Sequence, residues 1–471
     1  MKTGKYIFVL VALCAAYIVL YSVADIRVER HTLTVMGAVG LFQFAVSFLS
    51  WNAAGKKLIS PYFIFLSVSY FFLFGQSLLY PFDLICEERD LYETYSVMYG
   101  FSVDDIYRAQ LQTLLMLGVF HIAGLRSVTK SRKRSVGEVN ADVRKDNRIL
   151  RMRNVGWLLF VVSFVPFVYD TIADMLQSMT YGYGTLYGTN IKVGWENTIA
   201  FVAALFVPSV ICLFIVYKNN KPVRSFLTLL LLLVVIAILM TGGRSNAVIL
   251  LCLLAVLYQY LVKPFSKKML LVGAVGGFFF LQVLAYIAET RTSAHGFQVD
   301  NTAVTDNAAV SAVAEMGWSQ FCLIESMQIV PEKENFRYGK SYLYALTTVV
   351  PNMGFWEYHP AKKEANLGEW LTDTLGTTFG TGFSMAAEAW VNWGTFGFLI
   401  FYIWGAALGR LFGRIDDVVK TGDVAMLAFL LIVFWFCLKI PRNSFVNVVR
   451  AVFFYALPVY LYCNNFKLGR K

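Results

Sequence analysis

The chain has 471 residues, 58% of them hydrophobic and 15% charged, with mean hydropathy +0.58. Soluble globular domains are about half apolar and about a quarter charged, so this composition excludes a soluble architecture. The formal net charge is +11, but the cations sit mostly in short loops between apolar runs, which points to membrane topology and away from nucleic acid.

The apolar runs are about 20 residues long, enough to cross a bilayer as helices. No sustained alternation suggests the shorter strands of a barrel. About twelve spans are predicted by length. They fall near residues 5–24, 32–51, 58–80, 108–125, 155–175, 197–217, 225–241, 246–262, 269–289, 383–411, 423–440 and 448–464. The first follows Lys2 and Lys5 without a small-x-small cleavage site, so a transmembrane helix is expected there and not a removed signal.

Orientation follows from the loops. Residues 126–153 form the strongest basic loop and are expected in the cytoplasm. Parity puts 56–57, 218–224, 263–268, 414–420 and 467–471 on the same side, and each contains basic residues. The opposite loop, 81–107, carries Asp83, Glu87, Glu88, Asp90, Glu93, Asp104 and Asp105 against Arg89. Both termini are expected in the cytoplasm.

Residues 290–382 form one large loop on the other side, too long to be structureless. Val310, Ala314, Trp318, Phe321 and Ile324 recur at helical spacing and predict a helix over 303–330. A second is predicted over 339–350, ended by Pro351. The organisation expected is therefore transmembrane helices over 1–289, a helical loop over 290–382 and transmembrane helices over 383–471. The seven cysteines form no CxxC and no Cys/His cluster, so no metal site is predicted. Cys86 and Cys322 share the non-cytoplasmic side, which leaves a disulfide open. No Walker loop, HExxH or GxSxG elbow is present.

Four arginines stand out by position. Arg244 sits in the turn TGGRSN, Arg291 follows the ninth span, Arg442 lies in IPRNSF and Arg450 is eight residues on. All four fall at the non-cytoplasmic surface, where the positive-inside tendency acts against them. Arginine stays charged, and its planar fork matches phosphate oxygens, so an anionic ligand such as a diphosphate is one reading. Snorkelling to lipid headgroups, or pairing with a local carboxylate such as Glu289, is the other. Glu388, about one turn into the tenth span, is a candidate general base or a structural partner, and Asn392 shares its helical face. His359 in WEYHPAKK could touch substrate or be a solvated loop residue. The tyrosine-rich segment 180–190 suits sugar faces or an interfacial aromatic belt.

Four stretches carry a resemblance: ILMTGGRSNAVILL (238–251), VVPNMGFWEYHPAK (349–362), AAEAWVNWGTFG (386–397) and IPRNSFVNVVRAVFF (440–454). In this order and spacing they resemble Wzy-type O-antigen and oligosaccharide repeat-unit polymerases. The resemblance implies an all-α polytopic membrane protein with one large periplasmic loop, GT-C-like, in the bacterial inner membrane. It implies transfer of a glycan from undecaprenyl diphosphate to a second lipid-linked repeat unit, without a metal or cofactor. Arg244 and Glu388 would then be catalytic, and Arg291, Arg442, Arg450, His359 and Asn392 would bind substrate. A chain-length regulator and a flippase are the partners implied. An O-antigen ligase uses the same donor and is the nearest alternative. A lipid-linked oligosaccharide transporter would show repeated halves with interrupted helices, and the sequence has no such symmetry.

Overall fold

The computed structural model describes residues 3–23, 28–82, 84, 101–131, 142–181, 195–241, 244–266, 268–270, 272–273, 276–277, 310, 313–314, 316–350, 359–377 and 380–464. Among them the chain is all-helical, with no strand. Hydrocarbon imposes this, because every backbone N–H and C=O must be satisfied internally and a helix does so within one segment.

In chain order the helices begin with α1 Gly4–Ser22, α2 Arg30–Ala53, α3 Pro61–Phe74, α4 Val103–Ser131 and α5 Asp142–Tyr181. There follow α6 Trp195–Ala203, α7 Phe206–Val216, α8 Lys221–Thr241, α9 Arg244–Leu261 and α10 Ser319–Ile329. Next come α11 Lys340–Ala345, α12 Pro360–Glu364, α13 Leu367–Leu375, α14 Met385–Trp393 and α15 Phe398–Phe412. The last are α16 Ile415–Thr421, α17 Val424–Cys437, α18 Val446–Ala451 and α19 Leu457–Cys463.

Among the described residues, nine helical stretches are long and apolar enough to cross a bilayer, and Pro61–Phe74 and Ser245–Leu261 are shorter apolar helices. Each falls on one of the expected spans. The span expected at 269–289 lies mostly outside the described residues.

Two expectations change. The helix expected over 303–330 is interrupted: Val310, Val313, Ala314 and Met316 are helical, the chain turns at Gly317 and Trp318, and α10 follows from Ser319. Gly317 packs on the backbone of Gln76, so closely that a Cβ would collide with it. The span expected as one helix over 383–411 is two, α14 and α15, separated at Gly394, where φ is +56°. The second loop helix is present as α11 with a 3-10 turn over Leu346–Val349. Cys322 is a buried free thiol.

Helix α4 is central and packs against α1, α2, α3 and α15. A second group gathers α6, α7, α8 and α19 around α5, and α17 joins the two by touching α3, α7, α9 and α19. The α4–α15 seam uses small residues, as lipid-embedded helices do when backbones must approach closely. A Cβ on Gly405 would run into the Phe120 carbonyl, and one on Gly409 would lie 2.7 Å from the Gly124 Cα. Several polar side chains inside the bundle are paired, while the Thr113, Tyr260 and Ser319 hydroxyls have no partner among the described residues. Gln43 accepts from the Tyr17 hydroxyl at 2.7 Å and donates to the Tyr70 hydroxyl and the Leu114 carbonyl, each at 2.9 Å. His121 is a buried core residue, 2.8 Å from the Ser50 hydroxyl.

The bundle has two unlike ends. At the basic end Lys57 pairs with Asp416 at 3.3 Å, Arg148 pairs with Asp423 at 3.4 Å, and Lys56 donates to the Gly413 carbonyl at 2.9 Å. The opposite, loop end is built by the start of α4, by α10 to α14 and by a 3-10 turn over Ile440–Arg442. There Gln328 donates to Asp105 at 3.1 Å and Gln112 to the Thr395 carbonyl at 3.0 Å.

Overpacking costs about 1–3 kcal/mol where neighbours can shift. The Phe120 carbonyl belongs to a central helix and cannot. Gly405→Val is therefore expected to lose at least the upper end of that range and to lower the melting temperature in detergent. Gly4→Ala, with open space around it, is the control and should melt as the parent does. Equal melting of both variants would remove the seam from the account.

Candidate functional site

Helix α14 starts at Ser384, whose Oγ accepts from the Ala387 N–H at 3.1 Å. It ends after nine residues at Gly394. A Cβ there would lie 2.9 Å from the Phe336 ring, and the positive φ favours glycine in any case. A helix that stops leaves its last carbonyls without donors. The loop supplies them. The Arg337 N–H donates to the Val391 carbonyl at 3.0 Å and the Tyr338 N–H to the Asn392 carbonyl at 3.1 Å. The Gly339 N–H donates to Asn392 Oδ1 at 2.8 Å. The chain turns there with φ +85° at Gly339, against the Trp393 ring.

Glu388 is only 1% exposed. A carboxylate so placed must be given donors. Its Oε1 accepts from the Ser341 hydroxyl at 2.7 Å and its Oε2 from the Phe445 N–H at 2.7 Å. Ser341 Oγ in turn accepts from Asn392 Nδ2 at 2.8 Å, and the same nitrogen donates to the Glu388 carbonyl at 2.8 Å. Asn392 is 0% exposed and uses both ends of its amide. Tyr342 stacks on Trp393 at 5.4 Å and lies 5.3 Å from Phe445, so rings pack beside these bonds. One carboxylate thus ties α14 to α11 and to the start of α18.

Three residues before Phe445 lies Arg442. It ends the 3-10 turn and donates through Nη1 to Ser245 Oγ at 2.6 Å. This bond joins Arg442 to the turn that carries Arg244, of which only the backbone is described, opening α9. Arg450 is exposed in the last turn of α18. Among the described residues neither Arg442 nor Arg450 forms an ion pair. His359 caps α12: its Nδ1 accepts from the Ala361 N–H at 3.2 Å, and its Nε2 faces the Val350 carbonyl at 3.1 Å. Both contacts are satisfied by the neutral tautomer protonated on Nε2. Helix α12 packs through Ala361 and Ala365 on Ala345, with Phe445, Val446 and Val449 beside it. The structure therefore brings Glu388, Asn392, Arg442, Arg450, His359 and the Arg244 turn to the loop end. Arg291 and nearly all of 180–190 lie outside the described residues.

Four side chains here were not singled out from the sequence. Ser341 is one, and a lone loop serine carries no local signal. Arg337 holds its guanidinium 5.0 Å over the Trp370 ring and donates to the Glu364 carbonyl at 3.2 Å. Burial pulls Arg337 down from its ordinary pKa and the charges of Glu334, Glu364 and Glu388 hold it up, and it remains a cation. Lys439 Nζ sits 4.9 Å over the Trp435 ring. It lies three residues before Arg442, and the positional argument that found the arginines applies to it. Glu325, on α10, is half-buried, and no hydrogen bond to its carboxylate is present among the described residues. Burial pushes its carboxyl above the ordinary value, with Lys333 opposing. One turn earlier on the same helix, the Cys322 thiol lies in the field of Arg442.

The chain matches the family described as O-antigen polysaccharide polymerase Wzy over residues 6–468. No curated protein and no solved structure matches it.

Hydrogen bonds to a charged group contribute about 1.5–3 kcal/mol each. Ser341→Ala and Glu388→Gln are each expected to destabilise the protein by about 1–3 kcal/mol, read as a lower melting temperature in detergent. Because they break one network, the double variant should lose less than the sum. Strictly additive losses would mean that the two residues act separately.

Proposed function

From the premise that the chain belongs to the O-antigen polysaccharide polymerase Wzy family, we propose that the loop end of its bundle faces the periplasm and joins undecaprenyl-diphosphate-linked repeat units there. On this reading Arg442, Arg244, Arg450 and Arg291 hold the diphosphate. The observation that carries it is Arg442: half-buried, fixed to Ser245 at 2.6 Å, and free of any carboxylate partner among the described residues. A cation held in place with its charge unpaired is suited to an anion.

The chemistry is a substitution at an anomeric carbon. A hydroxyl oxygen of the acceptor repeat unit attacks the anomeric carbon of the growing glycan. The bond from that carbon to the diphosphate oxygen breaks, and the electron pair leaves on undecaprenyl diphosphate. The acceptor proton passes to a carboxylate. Since the leaving group is already a stable anion, charge neutralisation by arginine matters more than protonation. Both Glu388 oxygens accept hydrogen bonds, so we assign Glu388, with Asn392 and His359, to positioning. Glu388 holds Phe445, and through it Arg442. Glu325, with no hydrogen-bond donor on its carboxylate among the described residues, is assigned the proton. Cytoplasmic termini, a chain-length regulator and a flippase complete the proposal.

Family membership favours a polymerase over a ligase or a transporter. The phenotype of gene loss tests it: a polymerase leaves single repeat units on the acceptor, a ligase leaves polymer on the lipid carrier, and a transporter leaves repeat units on the cytoplasmic face.

Arg442→Ala is expected to abolish the long-chain ladder on a gel at unchanged protein level. Losing one charge-assisted bond of about 1.5–3 kcal/mol corresponds to about 10- to 150-fold in rate. Arg442→Lys should also be impaired, because a point charge does not replace the planar fork. Arg244→Ala and Arg244→Lys should behave alike. Normal chain length in well-expressed alanine variants would sink the diphosphate role. For Glu325, raised by burial, activity in a membrane assay should fall with decreasing pH above the ordinary glutamate value of about 4.3. Glu325→Gln should be inactive throughout, and a fully active Glu325→Gln removes it from the chemistry.

A further inference from the structure

The loop between α10 and α14 shows two surfaces of opposite character. Helices α12 and α13 expose Lys362, Lys363, Asp373 and Thr374 and bury Ala361, Leu367 and Leu371. That is the pattern of a face turned to water. Helix α11 and the 3-10 turn after it are the reverse. Leu343, Leu346 and Val350 point outward, 65%, 53% and 45% exposed, and the spacing of three puts Leu343 and Leu346 on one side, with Val350 following where the 3-10 turn ends in extended backbone. After Lys340 the polar side chains of Ser341, Thr347 and Thr348 are turned away or bonded to the backbone. Ser341 is buried against Glu388. The hydroxyls of Thr347 and Thr348 bond the Tyr344 and Ala345 carbonyls, each at 2.6 Å, which is how hydroxyls are satisfied where water is absent.

Single exposed leucines need no explanation. Three within eight residues, with the hydroxyls folded inward, match the outer surface of the spans. Helix α15 exposes Leu399 and Ile403, and α8 exposes Leu229, Leu232, Leu233 and Ile236. The position agrees. Helix α11 and its turn pack on α18, which opens the candidate span Val446–Cys463, and Tyr344 and Ala345 lie with Phe445, Val446 and Val449. The strip is continuous with the side of a membrane helix.

We propose that residues 343–350 lie in the bilayer, with Leu343, Leu346 and Val350 seated among lipid acyl chains of the leaflet at the loop end. Lys340 and Tyr338, both exposed at the start of α11, suit the headgroup level, where ammonium groups and tyrosine rings settle. Part of the loop that reads as a cap in water is thus an embedded wedge. It holds the Glu388 bonds and the Arg442 turn at the boundary between headgroup and hydrocarbon. That this is the depth of a lipid-borne diphosphate rests on the function proposed above; the lipid contact does not.

The test is collision accessibility by electron paramagnetic resonance. Leu343→Cys, Leu346→Cys and Val350→Cys are spin-labelled in the full-length protein in phosphatidylethanolamine/phosphatidylglycerol vesicles, beside Lys363→Cys and Thr374→Cys. The unsubstituted protein supplies the background label. All five sites except Thr374 and Lys363 should collide with oxygen, which partitions into hydrocarbon, several-fold more than with a water-soluble nickel chelate. Lys363→Cys and Thr374→Cys should show the reverse, and unchanged melting of the labelled variants in detergent establishes that they are folded. Nickel collisions at the strip equal to those at Lys363→Cys would mean a water-facing surface and overturn the proposal. Shielding from both reagents would mean that protein covers the strip, and would overturn it too. Either result leaves the arginine experiments untouched.

Discussion

A carboxylate taken out of water must find donors, and the loop end is organised around how Glu388 finds them. Ser341 and the Phe445 backbone come from segments far apart in the chain, and both donate to it at 2.7 Å. Neither segment is long enough to be a stable helix alone. Each is fixed by a bond to a group that cannot be left unsatisfied at low cost. The same logic holds at the end of α14, where three successive N–H groups of the loop serve its last residues. A short helix, a tight turn and a short helix become one rigid assembly because each completes the hydrogen bonding of another.

That assembly sets where charge can be used. Phe445 is three residues from Arg442, and Arg442 reaches Ser245 beside Arg244. A chain of direct bonds therefore runs from Glu388 to the turn between α8 and α9. In the proposed reaction the leaving group carries its negative charge from the outset, so a fixed cation contributes more than a mobile proton donor. Positioning and proton transfer then belong to different carboxylates. In that proposal Glu388 holds the frame, and Glu325, without a donor among the described residues, accepts the proton.

The bilayer acts as the second organising condition. It permits apolar side chains on the outside of α8 and α15 and favours pairing of polar ones inside the bundle, as at Gln43 and His121. With no hydrophobic drive between helices in lipid, close packing supplies cohesion, and Gly405 and Gly409 let α15 approach α4 to backbone contact. The outward leucines of the loop follow the same rule in a place where the chain reads as extramembranous.

The class of protein and the positions of the apolar spans among the described residues were legible in the sequence, because span length and hydropathy are local properties that solvent enforces on each segment independently. The motifs around Arg244, Glu388 and Arg442 were legible as well. The break at Gly394 was not: an apolar run reads the same whether it continues or turns, and the turn depends on Phe336 and on loop donors some fifty residues away. Nor were the partners of Glu388, 47 and 57 residues distant, or that of Arg442, 197 residues distant. Sequence by itself determined which residues are costly to place, since charge and burial are properties of type and neighbourhood. Only the tertiary structure decided how each cost is met, because a hydrogen bond joins groups that are close in space, and for these residues that closeness exists only after the helices have packed.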